Sequence, residues 1–381
     1  MGFRFDQRTN RAKLGSGVIA GLRMQEMRFS NMKRKTIFRD AALCLLTFLV
    51  WPHSPSFVVA SKDQENISIA NIDLFGYGNL DVKKLRSIVP IAAGKSIKLS
   101  EWSTHRERIE AAIHTLTGKP PTDVALACCN EQGDSMLYIG VAGTSSVAVQ
   151  HKPAPTREVR LPAAALKLNR ETDEAMRKAA LAGRTQQDNS NGYSLSADPE
   201  LRAKELLIRE FALANEDVIR TVLLTSSDAE HRAVAAQFLG YSNVSARQIA
   251  DLVEAANDLD PSVRNNAVRA LGVIAGSSQQ RAGMIPPDRF IALLKSEKWV
   301  DRNKGCWLMV NLTASRDPKL LKQLRTEATD ALIEMARWRF VGHASSARRL
   351  LGRLAGIEET RLDTLINDEA ETIIAAAKKS H

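Results

Sequence analysis

The stretch DPSVRNNAVRALGVIAG, residues 260–276, decides the fold because the same pattern occurs earlier in the chain. The earlier copy is DAEHRAVAAQFLGY, residues 228–241, with the same order of acid, arginine, small residues and Leu-Gly. Their arginines, Arg232 and Arg264, lie 32 residues apart. Apolar residues three or four apart give each copy the wide apolar stripe of a packed helix. A fixed period of this length predicts stacked helical repeats rather than one closed domain.

Each copy begins with an aspartate, and this position predicts two roles for the side chain. Asp228 and Asp260 can cap the free amides at the start of a helix, where a negative charge also complements the helix dipole. Each also lies four residues before an arginine, so the pairs Asp228–Arg232 and Asp260–Arg264 are predicted to meet on one helix face. The arginines are therefore interpreted as structural residues of the repeat.

Looser copies extend the pattern in both directions. WVDRNKGCWLMVNL from Trp299 places Arg302 at the arginine position, SARRLLGRLAG from Ser346 has the Leu-Gly pair, and PELRAKELLIREF from Pro199 is an earlier unit. An arginine after an Asp-Pro turn, followed by alanines and Leu-Gly, resembles the HEAT repeat, most clearly in DPSVRNNAVRALG. The resemblance covers roughly residues 198–356. It implies an α-solenoid whose faces bind other macromolecules.

A different pattern, mixed in strands and helices, precedes the repeats. The predicted elements are a strand from Ile67 that ends at a Gly76 to Gly78 turn, a helix capped by Asp81, a helix from Ser103, and two strands from Thr122 and Met136 joined by a turn at Gly133. AAGKSIKLSEW from Ala92 is interpreted as a connecting loop. The order is strand, helix, helix, strand, strand.

That order, with a glycine after the first strand and a closing hairpin, resembles the polypeptide-transport-associated (POTRA) domain between about Ile67 and Val141. In that family the domain lies on the exported side of a membrane and binds partner chains by lending a strand edge. The alternative is a small α+β domain with no partner at its edge. The predicted fold class is α+β, a small POTRA-like β-α-α-β-β domain followed by an all-α HEAT-like solenoid.

The composition divides the chain into four parts. These are an N-terminal extension and signal peptide at 1–60, the POTRA-like domain at 61–150, a linker with one helix and a polar loop at 151–197, and the HEAT-like repeats at 198–381. The linker opens with HKPAPTREVRLP from His151, whose prolines predict a stiff extended connector. A helix is predicted from Leu166 to Leu181, and the polar segment from Arg184 is predicted to be an exposed loop.

The first 60 residues have the layout of an export signal. A basic start at Met32 precedes the apolar run AALCLLTFLVW from Ala41, and VVA, ending at Ala60, offers a small-residue cleavage site. The protein is therefore expected to be exported, and periplasmic or secreted if bacterial. The alternative is an uncleaved membrane anchor, although the run is shorter than the roughly 20 residues that span a bilayer. Whether Met1 or Met32 is the true start stays open.

The net charge of +10 does not indicate a nucleic-acid partner once it is placed along the chain. Residues 1–60 contain ten Lys or Arg against three acids, which leaves +3 for the remaining residues. A DNA-binding protein usually concentrates its basic charge on the face that meets the phosphates. Nucleic acid is therefore not expected as a partner, and contact with a membrane is expected only through the signal segment if it is not cleaved.

Two adjacent cysteines, Cys128 and Cys129, follow a predicted strand, and Cys306 lies among the repeats. A disulfide between neighbouring residues closes only through a strained ring, so Cys128 and Cys129 are expected to pack as small apolar side chains at the strand end. Their oxidation state stays open. A disulfide framework is not expected to hold this fold.

The motifs of the common enzyme classes are missing from the sequence. It has no GxxxxGK[ST], GxGxxG, HExxH, GxSxG or CxxC element, so we assign no catalytic, cofactor-binding or metal-binding residues and no cofactor. His105 and His114 are interpreted as surface residues, and His231 and His343 as packing or surface residues. A basic cluster comprises Arg337, Arg339, His343, Arg348, Arg349 and Arg353. It is either a solvated helix face, which we favour, or a patch for an anion or an acidic partner.

These observations favour an exported, non-enzymatic scaffold that binds other proteins through a helical-repeat surface. The positions of the second copy that do not repeat, Asn265, Asn266 and Arg269, are left to contact a partner. One alternative is a lyase or cofactor-handling protein, since some HEAT-like repeat proteins resemble bilin lyases. A second is weak binding of anions or nucleic acid by the C-terminal basic cluster. The oligomeric state and the partner stay open.

Overall fold

A computed structural model describes residues 66–130 and 132–379, and the predicted signal segment lies outside them. The strands are β1 (Asn66–Phe75), β2 (Lys95–Lys98), β3 (Asp123–Ala127), β4 (Ser135–Gly140), β5 (Gln187–Asp188) and β6 (Leu195–Ser196). The helices are α1 (Val82–Ser87), α2 (Trp102–Thr117), α3 (Ala163–Leu181), α4 (Pro199–Ala214), α5 (Glu216–Thr225), α6 (Ala229–Leu239), α7 (Ala246–Ala255), α8 (Pro261–Ser277), α9 (Gln279–Ala282), α10 (Asp288–Leu293), α11 (Trp299–Leu312), α12 (Pro318–Ala336), α13 (Val341–Leu354), α14 (Glu359–Leu365) and α15 (Ala370–Lys379). The predicted fold class, α+β followed by an all-α solenoid, is confirmed.

Four strands form one mixed sheet in the order β2-β1-β4-β3. β1 runs parallel to β4, while β2 and β3 are antiparallel to their neighbours, with the predicted turn at Gly133 between β3 and β4. The prediction of a loop after Ala92 is wrong for Lys95–Lys98, which pair with the start of β1. A single buried residue, Ile97, is too little for a strand pattern, so β1 supplies the order that the local sequence lacks.

The sheet is buried on both faces because successive side chains of a strand point to opposite sides. Leu137 and Ile139 of β4 pack with Ile109 of α2 in one core. Met136 and Tyr138 of the same strand belong to the core of the repeats. The sheet therefore lies between its own helices and the solenoid.

The predicted starts of the repeat helices are confirmed. The Asp228 carboxylate accepts hydrogen bonds from the amides of Glu230 and His231, and the Asp260 carboxylate accepts them from Ser262 and Val263. Asp198 caps α4 ahead of Pro199 in the same way. Each aspartate thus satisfies amides that a helix leaves unpaired at its N-terminus.

Helices α6, α8, α11 and α13 stack in succession, and α5, α7, α10 and α12 flank them. The central helices are enclosed on nearly all sides, as α8 illustrates with buried residues from Ser262 to Ala275. The stretches predicted as repeat units from Asp228, Asp260, Trp299 and Ser346 lie in the stacked helices α6, α8, α11 and α13. The stretch from Pro199 forms α4, which packs against α6. Within the described ranges no helix is both long and apolar enough to cross a bilayer.

The linker packs against neighbouring elements, whereas the prediction left its polar segment exposed. Its helix α3 begins at Ala163, three residues before the predicted start, and packs against α4. The segment after Arg184 contains the short β5–β6 ladder, and Leu195 and Ser196 are buried rather than exposed. Polar composition predicted a solvated loop, but hydrogen bonds to neighbouring elements satisfy these polar groups inside the protein.

Candidate functional site

Buried arginines join each repeat to the next. Nε and the terminal nitrogen Nη2 supply the bonds: Arg232 donates to the two Asp258 oxygens over 2.7 and 2.9 Å. Arg264 donates to the two Asp301 oxygens over 2.8 and 2.9 Å. All four side chains are buried. Such bidentate pairs match the planar guanidinium to the carboxylate and fix its orientation.

The predicted pairs Asp228–Arg232 and Asp260–Arg264 are therefore wrong. Each aspartate turns its carboxylate toward the amides of its own first turn, while the arginine points into the layer between repeats. The arginine spacing was visible in the sequence. Its acidic partners were not, because Asp258 and Asp301 stand at different distances along the chain from their arginines and at different places in their elements.

The same arginines also close the turn that precedes their own helix. Each donates to a carbonyl six residues earlier: Arg232 to Ser226 (2.9 Å), Arg264 to Asp258 (2.9 Å) and Arg302 to Ser296 (2.7 Å). Arg302, in the third unit, bonds Glu334 of α12 over 3.2 Å. The interpretation of these arginines as structural holds, but their contacts link repeats rather than staying within one.

Residues 145–161, which we call the strap, run in extended form along the turns of the repeats. Its amides bond to one turn after another: Val147 to the Lys295 carbonyl (2.8 Å), Lys152 to Asn257 (2.8 Å) and Arg157 to Thr225 (3.1 Å). Five residues of strap thus correspond to one repeat. The segment predicted as a stiff connector is therefore bound to the repeats along its length.

Side chains of the repeats hold the strap from the other side. Arg302 donates to the Ser145 carbonyl over 2.6 Å, and the Ser226 hydroxyl donates to Val159 over 2.6 Å. The Leu161 amide donates to Nδ1 of His231 over 2.9 Å, so His231 is a packing residue, as predicted. The strap therefore occupies this edge of the solenoid with the protein's own chain.

An aromatic cluster forms the contact between the sheet and the repeats. Tyr138 of β4 stacks on Trp299 with 4.8 Å between ring centroids, and its hydroxyl lies 2.6 Å from Nδ1 of His343. Trp338 lies against the same tyrosine ring. Burial, and then the charge of Lys304, lower the pKa of His343 to about 3, so this imidazole is neutral at physiological pH. His343 serves in packing and not as a surface base.

The glycine turn after β1 binds a carboxylate of α12. The amides of Gly76 and Gly78 donate to Glu334 over 2.6 and 2.7 Å, and the Ser145 hydroxyl adds a third bond of 2.5 Å. Gly78 has φ +53, and a Cβ there would lie 2.1 Å from Oγ1 of Thr144. Consecutive amides of a turn make an anion-binding concavity. Here a side chain of the protein itself fills it.

A small cleft, which we call the notch, opens between α3 and the repeat helices α6 and α8. Its polar lining consists of Asp173, Ser194, Gln237, Tyr241, Asn266 and Arg269. Asn266 and Arg269 are half-buried, and each also bonds within the protein: Asn266 donates to the Ala233 carbonyl over 2.9 Å and Arg269 to the Gln187 side chain over 3.3 Å. Asn265 is buried and donates to Asn266 over 2.9 Å, so the expectation for Asn265 is wrong. It lies on the face of α8 that packs inward.

Burial raises the pKa of two carboxylic acids, one in the notch and one behind it. It raises the pKa of Asp173 to about 8, although Arg269 and a 2.8 Å bond from Asn169 oppose the change. Burial also raises the pKa of Glu205 to about 7, against a 2.5 Å bond from the Ser196 amide. At neutral pH the notch therefore presents the Arg269 cation beside a protonated Asp173. Both can donate hydrogen bonds to a ligand.

The C-terminal basic cluster is engaged with other groups of the protein. Its contacts are Arg337 to Glu371 (2.7 Å), Arg348 to the Ile366 carbonyl (2.6 Å), Arg349 to Glu359 (2.6 Å) and Asp363 (2.7 Å), and Arg353 to Glu359 (2.7 Å). Burial opposes ionisation of Glu359, but the guanidinia around it hold its pKa at about 2. These pairs favour the interpretation of a packed and balanced face over an anion site.

The cysteines and the metal-ligating side chains form no further candidate site among the described residues. The structure joins Cys128 and Cys129 in a disulfide, so the expectation of two packed thiols is wrong. Cys306 is buried and outside any disulfide. Among residues 66–130 and 132–379 no cluster of three His, Cys, Asp or Glu side chains could hold a metal ion.

The stacked helices, the buried arginine–aspartate pairs and the aspartate caps describe a helical-repeat region, and this region can be compared with known families. Residues 216–284 match the family model for HEAT repeats. That span begins with α5 and ends just after α9, so it contains both Arg232 and Arg264. The helical-repeat character of this region is therefore shown by its sequence and by its structure.

Two solved structures are similar over part of the chain. An engineered protein from the Northeast Structural Genomics Consortium is 17% identical, with 48% of this chain and 91% of that chain covered and a TM-score of 0.35. A designed armadillo repeat protein in complex with a (KR)4 peptide is 14% identical, with 48% of this chain and 94% of that chain covered and a TM-score of 0.33. No curated protein shows significant similarity to the sequence.

Proposed function

We propose that this protein is an exported, non-enzymatic scaffold that binds a partner protein through the notch. The supporting observation is the position of Asn266 and Arg269: α8 is enclosed on nearly all sides, yet these two polar side chains stay half-exposed and line a cleft. Polar groups that remain accessible on a buried framework element are candidates for recognition. The strap already occupies the turn edge, which directs the proposal to the notch.

The chemistry of the notch favours a carboxylate of the partner. Arg269 can bind a carboxylate through two parallel N–H···O bonds, and Asp173 with its pKa at about 8 can donate an O–H at neutral pH. The notch is small, so we expect it to take a single side chain of the partner. An Asp or Glu side chain on an exposed segment of the partner is the ligand that these groups would recognise.

This choice of ligand carries a pH dependence. Asp173 is protonated below about pH 8 and becomes an anion above it, where it would repel the partner's carboxylate. Affinity should therefore fall as the pH rises through about 8. The Asp173→Asn variant keeps a hydrogen-bond donor without a titrating group, so its binding should not change over that range.

A capture experiment with matched arginine variants tests the notch. A photoreactive amino acid at Gln237 should cross-link a partner from the exported fraction of the source cells, and Arg269→Ala should abolish the product. Arg247→Ala is the control, since Arg247 is 70% exposed on α7, outside the notch. Equal cross-linking by the two variants would contradict the proposed site. A bound pigment in the absorption spectrum, or stoichiometric metal, would instead favour the lyase or cofactor-handling alternative.

We also propose that the protein is exported and that its first domain is POTRA-like. The basic start at Met32, the apolar run and the small residues before Ser61 support cleavage after Ala60. The strand order β2-β1-β4-β3 makes β2 the sheet edge on the β1 side. This edge is four residues long with exposed Lys95 and Lys98, which disfavours strand addition there. The mass of the mature N-terminus tests export; a chain that starts before Ala60 in the extracytoplasmic fraction would contradict cleavage.

A further inference from the structure

The outer face of α4 and α5, at the first end of the repeats, exposes an unusual number of large apolar side chains. Leu206 and Leu207 are each 46% exposed, Leu213 is 43% exposed, and Val218, just across the bend into α5, is 44% exposed. Five of the nine exposed large hydrophobic residues in the described ranges lie on these two helices, Leu224 being the fifth. A concentration of exposed apolar side chains on neighbouring helices indicates a candidate interaction site.

The exposure follows from the position of α4 in the stack. Its inward residues Leu201, Ile208 and Ala212 are buried, and it packs against α3 and α6. The opposite face looks away from the repeats. The last helix, α15, has charged residues such as Lys378 and Lys379 at its exposed positions, as terminal repeats require for solubility. The first end differs from the last end because its outer face is apolar.

The charged residues of this face are placed so that they could pair with those of a second copy of the same face. Arg202, Leu206 and Glu210 are exposed and stand four residues apart, so they lie in one row along α4. If two copies of α4 meet in antiparallel orientation about Leu206, Arg202 of each copy faces Glu210 of the other. A twofold contact needs such a self-complementary surface. The equal spacing of the two opposite charges around a leucine supplies it.

We propose that the outer face of α4 is the contact of a symmetric dimer of this chain. Leu206 lies on the twofold axis, with Leu207, Leu213 and Val218 extending the apolar contact to either side. The two Arg202–Glu210 pairs set the antiparallel register from the rim of the contact. The notch lies on α3, α6 and α8, away from this face, so dimerisation and partner binding are separate properties.

Sedimentation velocity of the full chain over a wide range of concentration tests the dimer. The wild type should sediment as a concentration-dependent dimer. Arg202→Glu and Glu210→Arg should each weaken dimerisation by about tenfold or more, because each creates two like-charge contacts across the axis. The double variant Arg202→Glu with Glu210→Arg restores both pairs and should recover most of the affinity. Leu206→Asp should abolish the dimer.

The controls separate a dimer contact from a loss of folding. Arg247→Glu reverses an exposed charge on α7 and should leave dimerisation unchanged, and every variant should keep the wild-type circular dichroism spectrum. A wild-type chain that stays monomeric at all concentrations overturns the proposal. So does a dimer that ignores the single reversals, or a double reversal that does not recover affinity.

Discussion

Single buried charges join distant parts of this chain. Glu334 contacts two amides of the glycine turn, the Ser145 hydroxyl and the Arg302 guanidinium, so one carboxylate touches the sheet, the strap and the third repeat unit. A buried charge persists only when hydrogen bonds replace the water that it has lost. This side chain satisfies that condition with four donors from three parts of the chain.

We expect Glu334→Gln to destabilise the protein by about 3 kcal/mol, because breaking a buried ion pair leaves Arg302 uncompensated. The new amide nitrogen would also face a backbone N–H of the glycine turn instead of accepting from it. Urea denaturation measures the change. Glu371→Gln is the control: its pair with Arg337 is exposed, so the loss should stay below about 1 kcal/mol. Equal losses would mean that the Glu334 contacts do not hold the domains together.

Glu205 predicts a pH dependence with a definite sign. Burial raises its pKa from 4.5 to about 7 in the folded protein, so the folded state holds a proton that the unfolded chain has released. The stabilisation that this group contributes is therefore fully present below about pH 4.5, and it is lost as the pH rises through 7. Glu205→Gln should match the wild type at pH 4.5 and exceed it by about 1 to 3 kcal/mol at pH 8. Urea titrations at both pH values test this, and a variant less stable at pH 8 would contradict it.

At the scale of the element, α8 shows how a small residue sets the distance between helices. Gly272 takes the place of the Gly in the repeated Leu-Gly pair, and the Trp307 ring of α11 packs directly against it. The Asn311 side chain reaches back to donate to the Gly272 carbonyl over 3.0 Å. The glycine is thus conserved between the two copies of this chain as a packing position, since its backbone needs no special conformation in a helix.

Two glycines of α8, one turn apart, provide a matched pair of variants. A Cβ at Gly272 would lie 2.1 Å from the Trp307 ring, so Gly272→Ala should cost about 1 to 3 kcal/mol through overpacking. At Gly276 the nearest atom would be 3.4 Å away, so Gly276→Ala should be neutral or stabilise by up to about 1 kcal/mol, as alanine favours helix. Thermal denaturation compares them. The reverse order would mean that α8 and α11 are farther apart than described.

At the scale of the whole molecule, the sheet and the repeats complete each other's core. One face of the sheet is completed by repeat residues, since Tyr138 stacks on Trp299 and Phe75 meets Trp338 edge-on with 6.5 Å between centroids. The strap then ties the other turns to the same sheet. Removing either partner would expose the aromatic surface of the other.

We therefore expect the described parts to unfold in one cooperative transition. Tryptophan fluorescence and far-UV circular dichroism should give the same unfolding midpoint. Trp338→Ala should lower the free energy of unfolding by about 3 to 5 kcal/mol, and the midpoints from both probes should fall together. Hydrogen exchange adds a local test: amides of β4 and α11 should exchange with similar free energies. Exchange of β4 well before α11 would show that the sheet is an independent unit.

Local patterns carried much of this fold. Spacing predicted the α8 stripe, the Asp228 and Asp260 caps and the strand-rich domain, because each depends on residues close in sequence. β2 was missed because its order comes from β1. Of the candidate partner residues, Asn266 and Arg269 were found through their failure to repeat, while Asp173 was missed because it belongs to the linker helix. Only the packing of α3 against α4 and α6 brings these residues into one cleft.

The sequence by itself determined the repeat period, the helix starts and the division into an α+β part and a helical part, since hydrophobic spacing and capping act within a few residues. The tertiary structure alone decided where the charges go. Arg264 could meet Asp260 on its own helix, but the folded chain gives it Asp301 and gives Asp260 the free amides. A buried guanidinium must find an acceptor wherever the packed repeats place one. That position is a property of the stacked helices and not of the spacing along the chain.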